Sequence, residues 1–167
     1  MFTNNAMKNL MNGVFQKDFC LPDELQIILN EGFKKLDRGI IVFNRTFSEQ
    51  FSSCEDVNSN IDKFLETFID KSGFENFINK IHIDDYVFES VDIVNSAFIF
   101  LEKFNILWGQ SFPEINCISL ISFDTDNEFG LGCVFRFHVI REGSEIYDIE
   151  KIEDFIEPMA IKVYQAV

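Results

Sequence analysis

The spacing of apolar residues changes once along this chain, at Pro113, and that change limits the folds open to it. Beyond Pro113 the apolar residues alternate. Ile115, Cys117, Ser119, Ile121 and Phe123 interleave with Ile118 and Leu120, and Leu131, Cys133, Phe135, Phe137 and Val139 interleave with Val134, Arg136 and His138. A period of two marks β-strands. The turn-rich connector Asp124-Thr125-Asp126-Asn127-Glu128-Phe129-Gly130 separates the two runs. Together they predict an antiparallel hairpin with one strongly apolar face.

Before Pro113 the spacing is mostly helical. Leu25, Ile28, Leu29, Phe33 and Leu36 form one stripe, so a helix is expected over about residues 22–37, opened by Pro22-Asp23-Glu24 and capped at Gly39. Ile40-Ile41-Val42-Phe43 then reads as a short buried strand. A second helix is expected from Ser59, which stands three residues before Asp62 as in a capping box. Ile61, Phe64, Leu65, Phe68 and Ile69 are its stripe, and Gly73 its end. A third helix carries Phe74, Phe77, Ile78 and Ile81. A fourth covers about 89–104 with Val91, Val94, Phe98 and Leu101 on its seam, and the lone Trp108 follows it, as a core-edge anchor or a partner contact. After the hairpin, Arg141-Glu142-Gly143-Ser144 is a turn and Glu145-Ile146-Tyr147 a candidate strand. Residues 150–157 read as a short helix burying Ile152, Phe155 and Ile156, and 159–167 reads as strand or helix. This order gives a segregated α+β fold, a small and mostly antiparallel sheet packed against four to five helices on one face, in one domain over 1–167.

Charge is the strongest global feature. The formal net charge is −14, and residues 1–53 contribute nothing to it, with six acids against six bases. Residues 54–104 and 105–167 each carry eleven acids and four bases. Such a field repels nucleic acid and anionic lipid and attracts basic partners. The 14 basic residues gather no further than Lys34-Lys35, which argues against a nucleic-acid groove. No apolar run is long enough to span a membrane, and the N-terminal residues lack a secretory pattern, so a reducing cytoplasm is expected. There Cys20, Cys54, Cys117 and Cys133 are expected as thiols, mostly buried. The 21 phenylalanines read chiefly as core.

Chemistry-bearing motifs are scarce. The Asp124-Thr125-Asp126-Asn127-Glu128 loop starts like a calcium loop, but its glycine comes late and its twelfth position is Phe135. His82 adjoins Asp84-Asp85, and His138 sits near Arg136 on the less apolar strand face, where a balance with local carboxylates is expected. No nucleophile elbow or phosphate loop occurs. No enzyme activity, cofactor or metal is expected.

Small size, acidity and missing catalytic parts give the chain an overall character similar to bacterial toxin-neutralising immunity proteins of the contact-dependent inhibition type. That resemblance rests on no motif. It implies one-to-one binding of a basic protein, a cognate and often nuclease-like toxin domain whose cleft acidic side chains would plug. The expected contacts are Asp124, Asp126 and Glu128 on the hairpin tip, Asp84 and Asp85 after the third helix, and Glu55 and Asp56 as a third cluster. An acidic secretion chaperone holding an effector segment is the alternative. An enzyme with an unlisted site and a nucleic-acid mimic stand behind these two.

Overall fold

The computed structural model describes residues 1–14, 19–126, 128, 130–144 and 146–166. Asn127, Phe129, Glu145 and Val167, which belong to the loop and terminal expectations above, lie outside the described residues. The elements confirm an α+β arrangement. In chain order they are β1 (Phe2–Thr3), α1 (Asn5–Met11), α2 (Asp23–Glu31), β2 (Phe33–Lys35), β3 (Ile41–Phe43), α3 (Asn44–Gln50), α4 (Cys54–Ser59), α5 (Ile61–Thr67), α6 (Lys71–Ile78), β4 (Ile81–His82), α7 (Ser90–Ser111), β5 (Cys117–Asp124), β6 (Gly132–Val139) and β7 (Met159–Tyr164). Short 3-10 turns cover Asp37–Gly39, Ile83–Asp85 and Ile149–Asp154.

The expected hairpin is β5 and β6, in register from Cys117 opposite Val139 to Asp124 opposite Gly132. It forms the middle of a five-stranded antiparallel sheet of order β1-β7-β5-β6-β4. The open tail is resolved as strand: β7 inserts between β1 and β5. The inner face carries Ile121, Phe123, Phe135 and Phe137, packed under α7. There Phe33, Phe43, Phe100, Phe104, Phe135, Phe137 and Trp108 make a continuous aromatic cluster, with ring centroids 4.8–6.4 Å apart. Six of the 21 phenylalanines are spent on this cluster.

Several helix boundaries differ from expectation for local reasons. The first helix stops at Glu31, because Gly32 takes a left-handed φ of 66° and turns the chain into β2. β2 pairs with β3 as a separate two-stranded sheet, and Gly39 serves the tight turn between them rather than a helix cap. The second helix is α5, which follows Asn60 rather than Ser59 and stops at Thr67 rather than Gly73, and the short α4 before it was not expected. Ser59 is the last residue of α4, and that helix is capped by Ser53, its hydroxyl accepting from the Asp56 amide. Gly73 lies inside α6, whose cap is Asp70, and a methyl group on Gly73 would approach the Phe68 carbonyl oxygen to within 2.2 Å. Ile69, expected in the stripe, is 93% exposed with φ 73° at the α5–α6 junction. Phe77 is also exposed, and Ile81 belongs to β4 rather than to the third helix.

The fourth helix, α7, runs on to Ser111 and contains Trp108. That side chain is fully buried, donating from Nε1 to the Ile115 carbonyl, so it is not a partner contact. Val91, expected on the seam, is exposed. No strand forms at Ile146 or Tyr147 among the described residues, and the 150–157 helix is a 3-10 turn that leaves Ile156 exposed. Cys117 and Cys133 are buried, Cys54 is half-buried and Cys20 exposed, all as free thiols.

Two side chains, Glu75 of α6 and Asn79 just after it, join the sheets. Glu75 is completely buried. Its carboxylate accepts from the amides of Ile41 on β3 and Val139 on β6, each at 2.8 Å, and from both terminal nitrogens of Arg141 at 2.7 and 2.8 Å. Asn79 accepts from the Phe43 amide and donates to the carbonyls of Ile41 and Phe137. These groups occupy strand edges that would otherwise leave backbone polar groups unpaired inside the protein.

Candidate docking surface

Strand alternation puts Ile118, Leu120, Ser122 and Asp124 of β5 on the outer sheet face, with Val134, Arg136 and His138 of β6 and His82 of β4 beside them. The segment after β6 covers half of this face, placing Ile152, Tyr147, Ile149 and Phe155 over Ile118, Leu120 and Ile161. His138 lies under that cover and is 1% exposed, stacked on Tyr147. Its Nδ1 donates to the Val139 carbonyl, and its Nε2 has no hydrogen-bond partner among the described residues. Burial, with a smaller push from Arg141, holds this imidazole below its usual titration range.

The other half of the face is open. It forms a cleft of about 230 Å³ whose polar lining is His82, Asp84, Ser122, Asp124, Arg136 and Glu157. A second depression of about 250 Å³ adjoins it, sharing Asp84 and Gly132 and lined also by Val87, Phe88 and Leu131. Phe88 is 90% exposed. The loop between β4 and α7 therefore presents an aromatic ring beside carboxylates.

Two of the three expected acidic clusters meet here. Asp84 and Asp124 line the same cleft, and Asp85, Asp126 and Glu128 are exposed around it on the same two loops. Both lining carboxylates also hold local structure. Asp84 accepts from the Cys133 amide at 2.9 Å, extending the β4–β6 connection, and Asp124 accepts from the Asp126 amide at 3.1 Å, shaping the hairpin tip. Glu55 and Asp56 line neither depression. They occupy the first turn of α4, where Asp56 accepts from the Ser53 hydroxyl.

The Cys133 thiol lines the cleft but is buried, and burial together with the Asp84 charge pushes it well up from its ordinary value, so it stays protonated. His82 Nδ1 stands 3.9 Å from the nearest Asp84 oxygen, beyond hydrogen-bond reach. Among the described residues no three His, Cys, Asp or Glu side chains gather to hold a metal ion, and no helix is long and apolar enough to cross a membrane.

Phe88, Arg136 and Glu157 were not singled out from the sequence as site residues. Phe88 had one available signal, a large apolar residue just ahead of the α7 stripe and outside its spacing. Glu157 had none, since only the return of the chain through β7 brings it to the cleft.

A family model described as the Uncharacterized protein PM0498 family matches residues 2–165. The chain is similar to Uncharacterized protein PM0498 of Pasteurella multocida (strain Pm70), with 29% identity over 164 residues, covering 95% of this chain and 90% of that protein. No solved structure matches. With almost its whole length matched, the chain belongs to the PM0498 family.

Proposed function

We propose that this protein is an acidic protein-binding inhibitor of the immunity type, which binds and blocks a basic, nuclease-like toxin domain one to one. It works in the cytoplasm, without catalysis or a cofactor. The observation that carries the reading is the meeting of Asp84 and Asp124 at one cleft with the exposed ring of Phe88 alongside. Carboxylates around the cleft steer a cationic partner and set its orientation. An aromatic side chain that becomes buried on contact supplies affinity that charge alone does not.

The test is binding to the toxin domain encoded beside this gene, measured by calorimetry at low and at physiological salt. Phe88→Ala is expected to weaken binding by about tenfold or more, the size of an interface hot spot. Asp84→Asn with Asp124→Asn should weaken it and flatten its salt dependence. Glu55→Gln with Asp56→Asn should change neither. Affinity untouched by the first two variants refutes the assignment.

One observation favours the secretion-chaperone alternative. A groove of about 500 Å³ between α2 and α7 is lined by Leu29, Ile106 and Leu107, and Ile106 is exposed. That reading requires a dimer in solution, which light scattering detects.

A further inference from the structure

Three of the four arginines have carboxylate partners: Arg38 with Asp62, Arg45 with Glu31 and Arg141 with Glu75. Among the described residues Arg136 has none, and its buried Nε has no hydrogen-bond partner there either. A guanidinium taken partly out of water without a partner lowers the stability of the fold. The oddity is greater in a chain with 28 acidic residues, three of which line the same cleft. Asp84 and Asp124 are engaged with backbone amides, and neither is ion-paired with Arg136. The cleft therefore holds an unused cation and carboxylates with spare acceptor capacity, separated from one another.

We propose that this cleft binds a small zwitterion of the α-amino-acid type, its carboxylate on Arg136 and its ammonium group among Asp84, Asp124 and Glu157. A planar guanidinium is built to hold a carboxylate through two parallel hydrogen bonds. Ser122, on the same sheet face, adds a hydroxyl donor. Three surrounding carboxylates repel a phosphate dianion, and a bare cation, though drawn to them, leaves Arg136 without a partner. Only a ligand carrying both charges satisfies the two sides at once. The volume of about 230 Å³ suits a molecule of a few heavy atoms. The inference shares Asp84 and Asp124 with the docking proposal but turns on Arg136, and its test reads amino-acid binding by the protein alone, so the two can fail separately.

The experiment is calorimetric titration of the full chain with each common amino acid, and with acetate, methylammonium and inorganic phosphate as separate probes. At least one amino acid is expected to bind saturably below about 10 mM, a modest affinity in keeping with so few heavy atoms. Acetate and methylammonium should each bind about tenfold more weakly or not at all, because each lacks one charge-assisted contact. Arg136→Gln should cost about tenfold or more, and the exposed Asp124→Asn a similar factor, with circular dichroism confirming that both variants fold. Should Arg136→Gln fail to fold, Asp124→Asn decides. The proposal is overturned if no amino acid saturates, if phosphate binds as well as the amino acid, or if the folded variants bind like the wild type.

Discussion

Removing the Glu75 carboxylate should loosen the connection between the two sheets more than any other single change on α6. In Glu75→Ala the amides of Ile41 and Val139 lose their acceptor, each at a cost of about 1–3 kcal/mol inside the protein. Arg141, half-buried, loses its counter-charge as well. Breaking a buried pair from one side costs about 3–5 kcal/mol, a large part of the roughly 5–15 kcal/mol that holds a domain together. With a urea dependence of about 2 kcal/mol per molar, the unfolding midpoint should fall by about 2 M. Glu75→Gln keeps the shape and one acceptor oxygen, so its loss should lie between wild type and alanine.

Arg141→Met tests the same clasp from the other side. Burial pushes the Glu75 carboxyl up from its ordinary value, while Arg141 and the two amides pull it down. Without Arg141 it rises further and takes a proton more readily in the folded state than in the unfolded one. Stability from such a group is greatest at low pH and falls as pH rises through the folded titration point. Arg141→Met should therefore be less destabilised near pH 5 than near pH 8 relative to wild type. A midpoint shift below about 0.5 M for Glu75→Ala, or an Arg141→Met deficit independent of pH, would refute the clasp.

Two further outcomes follow from other sites. His138 is held neutral by burial, so its folded titration point is depressed; its contribution is present above about pH 6.5 and is lost as pH falls through the folded value. Urea melts of wild type and His138→Phe from about pH 7.5 to about 5 should show wild type losing up to about 1.4 kcal/mol more per pH unit, and parallel curves would contradict this. Ile69, β-branched and exposed in a left-handed conformation, should be improved by Ile69→Gly, with a gain of about 0.5–1 kcal/mol in the same melts; a loss would mean that its backbone is not strained.

The hairpin was legible because its alternation is local and its two runs are adjacent in sequence. The long α7 was legible for a similar reason, although its end was set too early, because Trp108 and Ser111 carry no stop signal. The breaks at Gly32 and between α5 and α6 were hidden. The apolar stripe continues through both, and what the stripe does not show is tertiary or a cap: β2 is needed as a partner for β3, and Asp70 starts α6 anew. β1 and β4, two residues each, are too short for any period to register. At the candidate surface, Asp84 and Asp124 could be named from charge. Their meeting could not, since it depends on β4 pairing with β6 over Ile81 and His82. The isolation of Arg136 depends on which carboxylates the fold directs elsewhere, and no spacing rule carries that.

The position of β7 also has a consequence for synthesis. Residues 159–164 lie between β1 and β5, and Asn4 bonds to the Phe155 and Glu157 carbonyls and accepts from the Met159 amide. The N-terminal strand has no neighbour until this late stretch leaves the ribosome. The nascent chain must then hold the apolar edge of β5 uncovered while most of the protein is already made, so this is the interval in which a chaperone or a second nascent chain can pair with it.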